Sequence, residues 1–208
     1  MRTKYPRTLH IPGSPGATSD DKVLRSMDHL IGRRVVVTEK MDGENTTLYR
    51  DGLHARSLDG RSHPSQDWVR GLQGRIGYQI PQECRICGEN VYAEHSIHYD
   101  SLPDYFLAFS WWEGDVCLDW ETTVERCAQI SLQTVPVIWS GVLGPEMRFD
   151  QQRGLCGGLQ EGYVIRLAER FTLDQFGQSV AKWVRPNHVQ TDQHWSLRPV
   201  TPNGVCYE

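Results

Sequence analysis

The sequence predicts an α+β fold of mainly antiparallel sheets with flanking helices. Three observations carry that prediction. Runs of strand length rich in β-branched and aromatic residues recur along the chain, as in Val35-Val36-Val37-Thr38 and Tyr105-Phe106-Leu107-Ala108-Phe109. Asp51-Gly52 separates two such runs as the two-residue turn of a hairpin. Helical spacing of apolar residues is confined to three stretches.

The stretch from Ile11 to Thr18 is rich in proline and glycine and reads as a loop or arm. Ser19 or Asp20 is placed to cap a helix running through about Leu30, with Val23, Leu24, Met27 and Leu30 on one side. A buried strand follows at 35–38. Residues 46–50 and 53–57 form the hairpin around Asp51-Gly52. Trp68, Leu72 and Ile76 recur every four residues and place a helix near 66–78, which Gly71 and Gly74 weaken. Strands are expected at 91–95 and 105–112, a helix near 120–131, and strands near 135–139, 162–168 and 179–185. No repeat, low-complexity tract or long linker divides the chain. One domain over 1–208 is therefore expected, with an N-terminal arm over about 1–20 and a short tail over about 187–208.

Composition narrows the function classes. With 38% hydrophobic and 23% charged residues, the 208-residue chain is an ordinary globular protein large enough to hold a ligand pocket. A formal charge of -4 and a pI near 6.1 exclude a global basic coat, so nucleic acid would be gripped by a local patch. No run approaches the roughly 18 apolar residues of a membrane span. The N-terminus lacks the apolar stretch of a signal peptide, so a cytoplasmic location is expected. The six cysteines are then expected to be reduced and mostly buried. Cys84 and Cys87 form a C-x-x-C followed by His95 and His98. These could hold tetrahedral zinc, although the spacing departs from fingers and ribbons.

Three segments carry residues suited to chemistry. In Glu39-Lys40-Met41-Asp42-Gly43-Glu44-Asn45, a lysine lies just after a buried strand and before a tight turn. Such a lysine reaches a pocket with a fixed backbone behind it. To act as a nucleophile it must lose its proton, although a free lysine has a pKa of roughly 10.4. In Glu161-Gly162-Tyr163-Val164-Ile165-Arg166, a carboxylate at a strand start can hold a divalent metal through oxygen. In Lys182-Trp183-Val184-Arg185, the basic side chains can neutralise phosphate, Arg185 bidentately. Read alone, each segment fits an exposed loop or strand end equally well.

Taken together and in order, these segments resemble the covalent nucleotidyltransferase superfamily of ligases and capping enzymes, and within it the RNA ligase branch. Lys40 to Gly43 matches the K-x-(D/H)-G motif, and Asn45 follows as is typical of RNA ligases. Arg56 stands where the family has an arginine that contacts the substrate end. Gly88-Glu89 resembles the element whose carboxylate holds the ribose. Phe109 ends the strand whose last aromatic stacks on the purine. Glu161 to Arg166 resembles the E-G-x-V element, and Lys182 matches the first lysine of the late basic motif. The resemblance spans about residues 35–186. Two positions depart from it. The late motif usually reads K-x-K, and here Val184 holds the second position with Arg185 next. Ser110 follows Phe109 where many relatives carry aspartate.

The resemblance implies a nucleotidyltransferase (ATP-grasp-like) adenylation domain. Lys40, Asp42, Glu161 and Lys182 would be catalytic, with Glu161 holding Mg²⁺ or Mn²⁺. Glu39, Gly43, Asn45, Arg56, Glu89, Phe109 and Arg185 would complete the ATP site. Lys40 would take AMP from ATP and pass it to an RNA 5′-phosphate, which a 3′-hydroxyl would then seal. The residues after Arg185 are too few for the five-stranded OB-fold domain of DNA ligases and capping enzymes. His188, His194, Trp195 and Arg198 in the tail could instead grip RNA by stacking and charge. A separate end-healing enzyme is a conceivable partner. Two rival readings are a nucleotide-binding or RNA-end-sensing module that does not seal, and a zinc-stabilised RNA-binding domain.

Overall fold

The computed structural model describes residues 2–58, 63–149, 154–156, 159–187 and 199–206. The tail residues His188, His194, Trp195 and Arg198 lie outside the described residues. In chain order the strands are β1 (Leu9–His10), β2 (Arg34–Glu39), β3 (Glu44–Tyr49), β4 (Gly52–Ala55), β5 (Cys84–Asn90) and β6 (Phe106–Glu113). There follow β7 (Val116–Cys117), β8 (Gln133–Thr134), β9 (Val137–Val142), β10 (Gly162–Leu167), β11 (Phe171–Thr172) and β12 (Val180–Val184). The helices are α1 (Asp67–Ile76), α2 (Trp120–Gln129) and α3 (Phe176–Ser179). None of the described helices is long and apolar enough to cross a membrane.

These strands form two sheets. The first has the order β1-β12-β10-β2-β9, and the second the order β11-β7-β6-β5-β3-β4, with β8 beside β6. Pairing is antiparallel except for β1 on β12 and β8 on β6, so the expected α+β class with mainly antiparallel sheets holds. β2 is an interior strand, apolar on both faces. Val35 and Val37 join Tyr163 and Ile165 in one core cluster, whereas Val36 joins Leu107 and Trp120 in another. The outer face of the second sheet buries Leu48, Ile86 and Trp111 under Val69, Leu72 and Ile76 of α1. α2 starts where Asp119 caps it, its carboxylate accepting from the Thr122 amide at 2.8 Å.

Four local expectations need correction. No helix forms over 19–30. Instead Lys22 and Leu24 hydrogen-bond to the backbone of His10, and Val23 bridges to it. Backbone pairing with β1 overrides the periodicity, although Leu30 is still fully buried. The strand expected at 91–95 lies earlier, at β5, while 91–95 is irregular apart from a bridge from Ala93 to Pro202. The hairpin turn is Arg50-Asp51, because Tyr49 pairs with Gly52, whose φ of 145° suits glycine. The strand near 135–139 is β9, shifted to 137–142.

The C-x-x-C lies inside β5, and this decides the zinc question geometrically. Three residues apart on a strand, Cys84 and Cys87 point to opposite faces. Cys84 sits in the cluster under α1, and Cys87 in the cluster between the sheets. They cannot grip one ion.

Gly162 is fixed by packing. A Cβ there would collide with the carbonyl oxygen of Trp183 on β12. Gly162→Ala is therefore expected to cost about 1–3 kcal/mol, which thermal unfolding would register as a Tm several degrees lower. An unchanged Tm would show that the two strands separate more easily than their register implies.

Candidate active site

The facing sheets leave a cavity of about 580 Å³ between them. Strand register sets what lines it. Val164 pairs with Thr38 on one side and Lys182 on the other, so these three side chains form one row across the first sheet. Arg166 pairs with Val180, one step further along. On the second sheet Asn45 lies directly opposite Glu89. Thr38, Val164, Lys182, Arg166, Val180, Asn45 and Glu89 all line the same space, together with Lys40 and Arg56.

Lys40 stands in the loop that joins the sheets. Its backbone N–H donates to the Gly162 carbonyl at 2.9 Å, on the first sheet. Gly43, three residues on, packs against β5 of the second, where a Cβ would meet the Asn90 carbonyl oxygen at 2.5 Å. The Lys40 ammonium donates to Glu161 Oε2 at 2.5 Å. Burial pushes the Lys40 pKa down, but the charges of Glu161, Glu89 and Asp42 more than reverse this, so the net shift is upward. Without ligand the amine is thus a protonated ion-pair partner, not a nucleophile. Lys182 is shifted the other way. Burial and the neighbouring Lys40 lower its pKa against the pull of Asp21 and Glu161. Burial pushes Glu89 up to about 8, aided by Glu161 and Asp42 and opposed by Lys40. These directions place cations and carboxylates in mutual electrostatic contact.

Phe109 reaches the cavity through a bulge. Cys87 pairs with Ser110, and Gly88 with Ala108, so Phe109 is the extra residue on β6. Up to that point the strand alternates as expected, with Phe106 and Ala108 packed under the helices and Leu107 on the opposite side. The bulge then turns both Phe109 and Ser110 toward the cavity. The Arg166 guanidinium fixes it, donating to the carbonyls of Phe109 at 3.1 Å and Leu118 at 2.7 Å.

The structure gathers Glu39, Lys40, Gly43, Asn45, Arg56, Glu89, Phe109 and Lys182 around this one cavity. Glu161 joins them through its ion pair with Lys40. Two expected members face elsewhere. The Asp42 carboxylate accepts from the amides of Ser96 at 2.7 Å and Ile97 at 2.9 Å, bracing the loop beyond β5. The Arg185 side chain donates to the carbonyls of Pro186 and Asn187 beside it.

Two buried oxygens in the cavity wall lack a hydrogen-bond partner among the described residues, Asn45 Oδ1 and Glu39 Oε1. Unpaired polar atoms of this kind fit a site that completes its bonds on a ligand. The carboxylates also fit a hard divalent cation that takes one or two protein oxygens and fills its shell with phosphate and water. Such an ion needs no closed protein cage, and no group of three or more His, Cys, Asp or Glu is arranged as one among the described residues.

Sequence reasoning missed Tyr5, Thr8, Ser110 and Arg166 in the lining. It also missed Asp21, whose carboxylate lies 4.0 Å from the Lys182 ammonium. Burial would raise the Asp21 pKa, but hydrogen bonds from Thr18 and the nearby Lys182 and His10 outweigh it and hold it at about 2. Only the bulge residue Ser110 had a local signal, its place next to Phe109. Arg166 is brought in by its register on β10, and Tyr5, Thr8 and Asp21 by the path of the arm.

The comparisons with known proteins agree on the fold. A family model described as RNA ligase matches residues 33–184. No curated protein matches the sequence. A Naegleria gruberi RNA ligase variant with ATP and Mn is 14% identical, with a TM-score of 0.58, covering 91% of this chain and 58% of that one. Naegleria gruberi RNA ligase with PPi is 17% identical, with a TM-score of 0.52, covering 76% and 51%. An Aquifex aeolicus chain whose name proposes an ATP-dependent DNA ligase is 17% identical, with a TM-score of 0.52, covering 88% and 50%. This chain thus spans between 50% and 58% of the length of those three.

Proposed function

The chain belongs to the RNA ligase family, and from that premise we propose that it is an ATP-dependent RNA ligase working through AMP linked to Lys40. The observation that supports this most is the meeting of Lys40, Glu161, Lys182, Glu89 and Asn45 at one cavity, all within the span that the family model matches.

In the first step Lys40 Nζ attacks the α-phosphorus of ATP. A P–N bond forms, the P–O bond to pyrophosphate breaks, and the amine loses a proton. In the second, a 5′-phosphate oxygen of RNA displaces Lys40 and takes the AMP. In the third, a 3′-hydroxyl attacks the activated 5′-phosphorus, a phosphodiester forms, and AMP leaves with the proton balance passing to solvent. Every step is an in-line displacement, so the protein's contribution is alignment and charge. Lys182 and Arg56 would balance phosphate charge. Glu89 and Asn45 would hold the ribose side, and the face of Phe109 would stack on the base. Mg²⁺ or Mn²⁺ held by Glu161 would supply Lewis-acid stabilisation of the developing charge. With Glu161 so engaged, the Lys40 ammonium loses its partner and gives up its proton more readily.

The partner is expected to be RNA at the 3′-hydroxyl side, because a ribose adds a 2′-hydroxyl that polar side chains can read. The test is sealing of matched nicked and single-stranded substrates with RNA or DNA on each side of the break. Sealing restricted to RNA on the hydroxyl side is expected. Equal sealing of all-DNA ends would refute the preference. One observation favours a second reading, a nucleotide-binding module that does not seal: the upward shift of Lys40 leaves it ion-paired in the absence of ligand. ATP binding without any covalent adduct would mark that case.

A further inference from the structure

The N-terminal arm crosses the mouth of the cleft. At one end Leu9 and His10 pair with Ala181 and Lys182 on the edge of the first sheet, and the Ile11 amide continues the ladder to the Lys182 carbonyl at 2.8 Å. At the other end the Thr3 amide donates to the Tyr49 hydroxyl at 2.9 Å, on the second sheet. There the Arg2 guanidinium also lies 4.3 Å from the centre of the Tyr49 ring and pairs with Asp51 at 3.0 Å. The segment between these ties is a strap from sheet to sheet. It lies before residue 33, where the family match begins.

Midway along the strap, Tyr5 enters the cavity. Its ring meets Phe109 edge-on, with centroids 5.0 Å apart and planes at 63°. On its other side it meets Phe176 of α3 at 5.1 Å and 87°. The cavity is polar where Lys40, Lys182 and Glu89 stand and apolar where Phe109, Phe171 and Val180 stand. Val180 lies two residues from Lys182 on one strand face, which is about 6.6 Å. A nucleotide with its phosphates at Lys182 therefore lays its base along the apolar end. A base stacked on Phe109 meets Tyr5 as the adjoining wall, because the two rings stand at a corner.

We propose that residues 2–10 form a strap that closes the base end of the nucleotide pocket, with Tyr5 contacting the base and setting which bases fit. This rests on the nucleotide-site reading above. Two aromatic walls at a corner accept one flat ring in one orientation and limit its depth. A smaller side chain at position 5 would leave the slot open along one edge, so both affinity and discrimination would fall. Burial holds the Tyr5 phenol well above its usual pKa, so it stays a neutral hydroxyl beside Arg166 and can share a hydrogen bond with a base edge.

The experiment follows AMP or other nucleotide transfer to the intact protein by mass, over a range of ATP, GTP, CTP and UTP concentrations. Tyr5→Ala and Tyr5→Leu are expected to raise the ATP concentration for half-maximal adduct at least tenfold. The maximal rate should change less than threefold, and the preference for ATP over CTP should fall by a similar factor. Tyr5→Phe is expected to restore stacking and stay within threefold of the wild type. Tyr49→Phe loosens the far end of the strap without touching the cavity, and should raise the ATP requirement severalfold. It carries the test if the Tyr5 variants do not fold. Wild-type half-saturation and base preference in folded Tyr5→Ala, or in Tyr49→Phe alone where Tyr5 variants fail to fold, overturn the strap. A wild-type protein that takes no nucleotide overturns the nucleotide-site reading itself, and the strap with it.

Discussion

Lys40→Ala is expected to form no covalent AMP adduct, the largest effect predicted for this chain. The amine is the only atom in the motif placed to attack, and alanine leaves nothing in its stead. Lys40→Arg should fail as completely, because a guanidinium keeps its proton at any workable pH. The measurement is intact mass after incubation with ATP and a divalent metal, without nucleic acid. An adduct that survives either substitution would move the nucleophile elsewhere. The wild-type reaction should also depend on pH in a definite direction. Only the neutral amine attacks, and its pKa lies above the ordinary lysine value in the cavity without ligand. Well below that pKa the neutral fraction rises about tenfold per pH unit, so adduct formation should speed up as pH increases through neutrality. Glu161→Gln removes a negative charge that holds the proton on Lys40. It should therefore shift the profile toward lower pH even as it weakens the metal site.

Glu161→Ala and Lys182→Ala are each expected to slow adduct formation on the order of a hundredfold, the usual cost of removing one electrostatic partner of a developing charge. The two losses differ in kind. Glu161 is proposed to hold the metal, so its loss should be partly offset by more divalent metal. Lys182 would meet phosphate itself, with Asp21 4.0 Å away, so no metal should compensate for its loss. Rates within threefold of wild type for both variants, in folded protein, would mean that phosphate is held elsewhere.

Much of this arrangement was legible in the sequence. Local rules found the hairpin, both longer helices, the strand that leads into Lys40 and the strands that carry Phe109 and Lys182, since those segments have strong periodicity or β-branching. The motif order then brought nearly all the expected site residues to one cavity. The failures share a physical cause. The segment 19–30 has helical spacing, yet its backbone bonds go to β1, a partner that periodicity cannot see. The strand β5 was missed because Cys84-Arg85-Ile86-Cys87-Gly88 is buried on both faces, which erases alternation. Asp42 was read as catalytic from its place beside Lys40, whereas its carboxylate bonds to amides more than fifty residues away. Tyr5 had no signal at all, because an arm takes its meaning from where it is tied.

The loop from Lys40 to Gly43 is held on one sheet at its start and wedged against the other at its end. Cleft width and the position of the Lys40 amine are therefore a single mechanical coordinate. A substitution anywhere in the packing between the sheets that spreads them by a fraction of an ångström would displace the reacting nitrogen by a similar amount. Loosened variants of this chain should thus lose chemistry well before they lose their fold, and adenylation rate becomes a sensitive strain gauge for the interior.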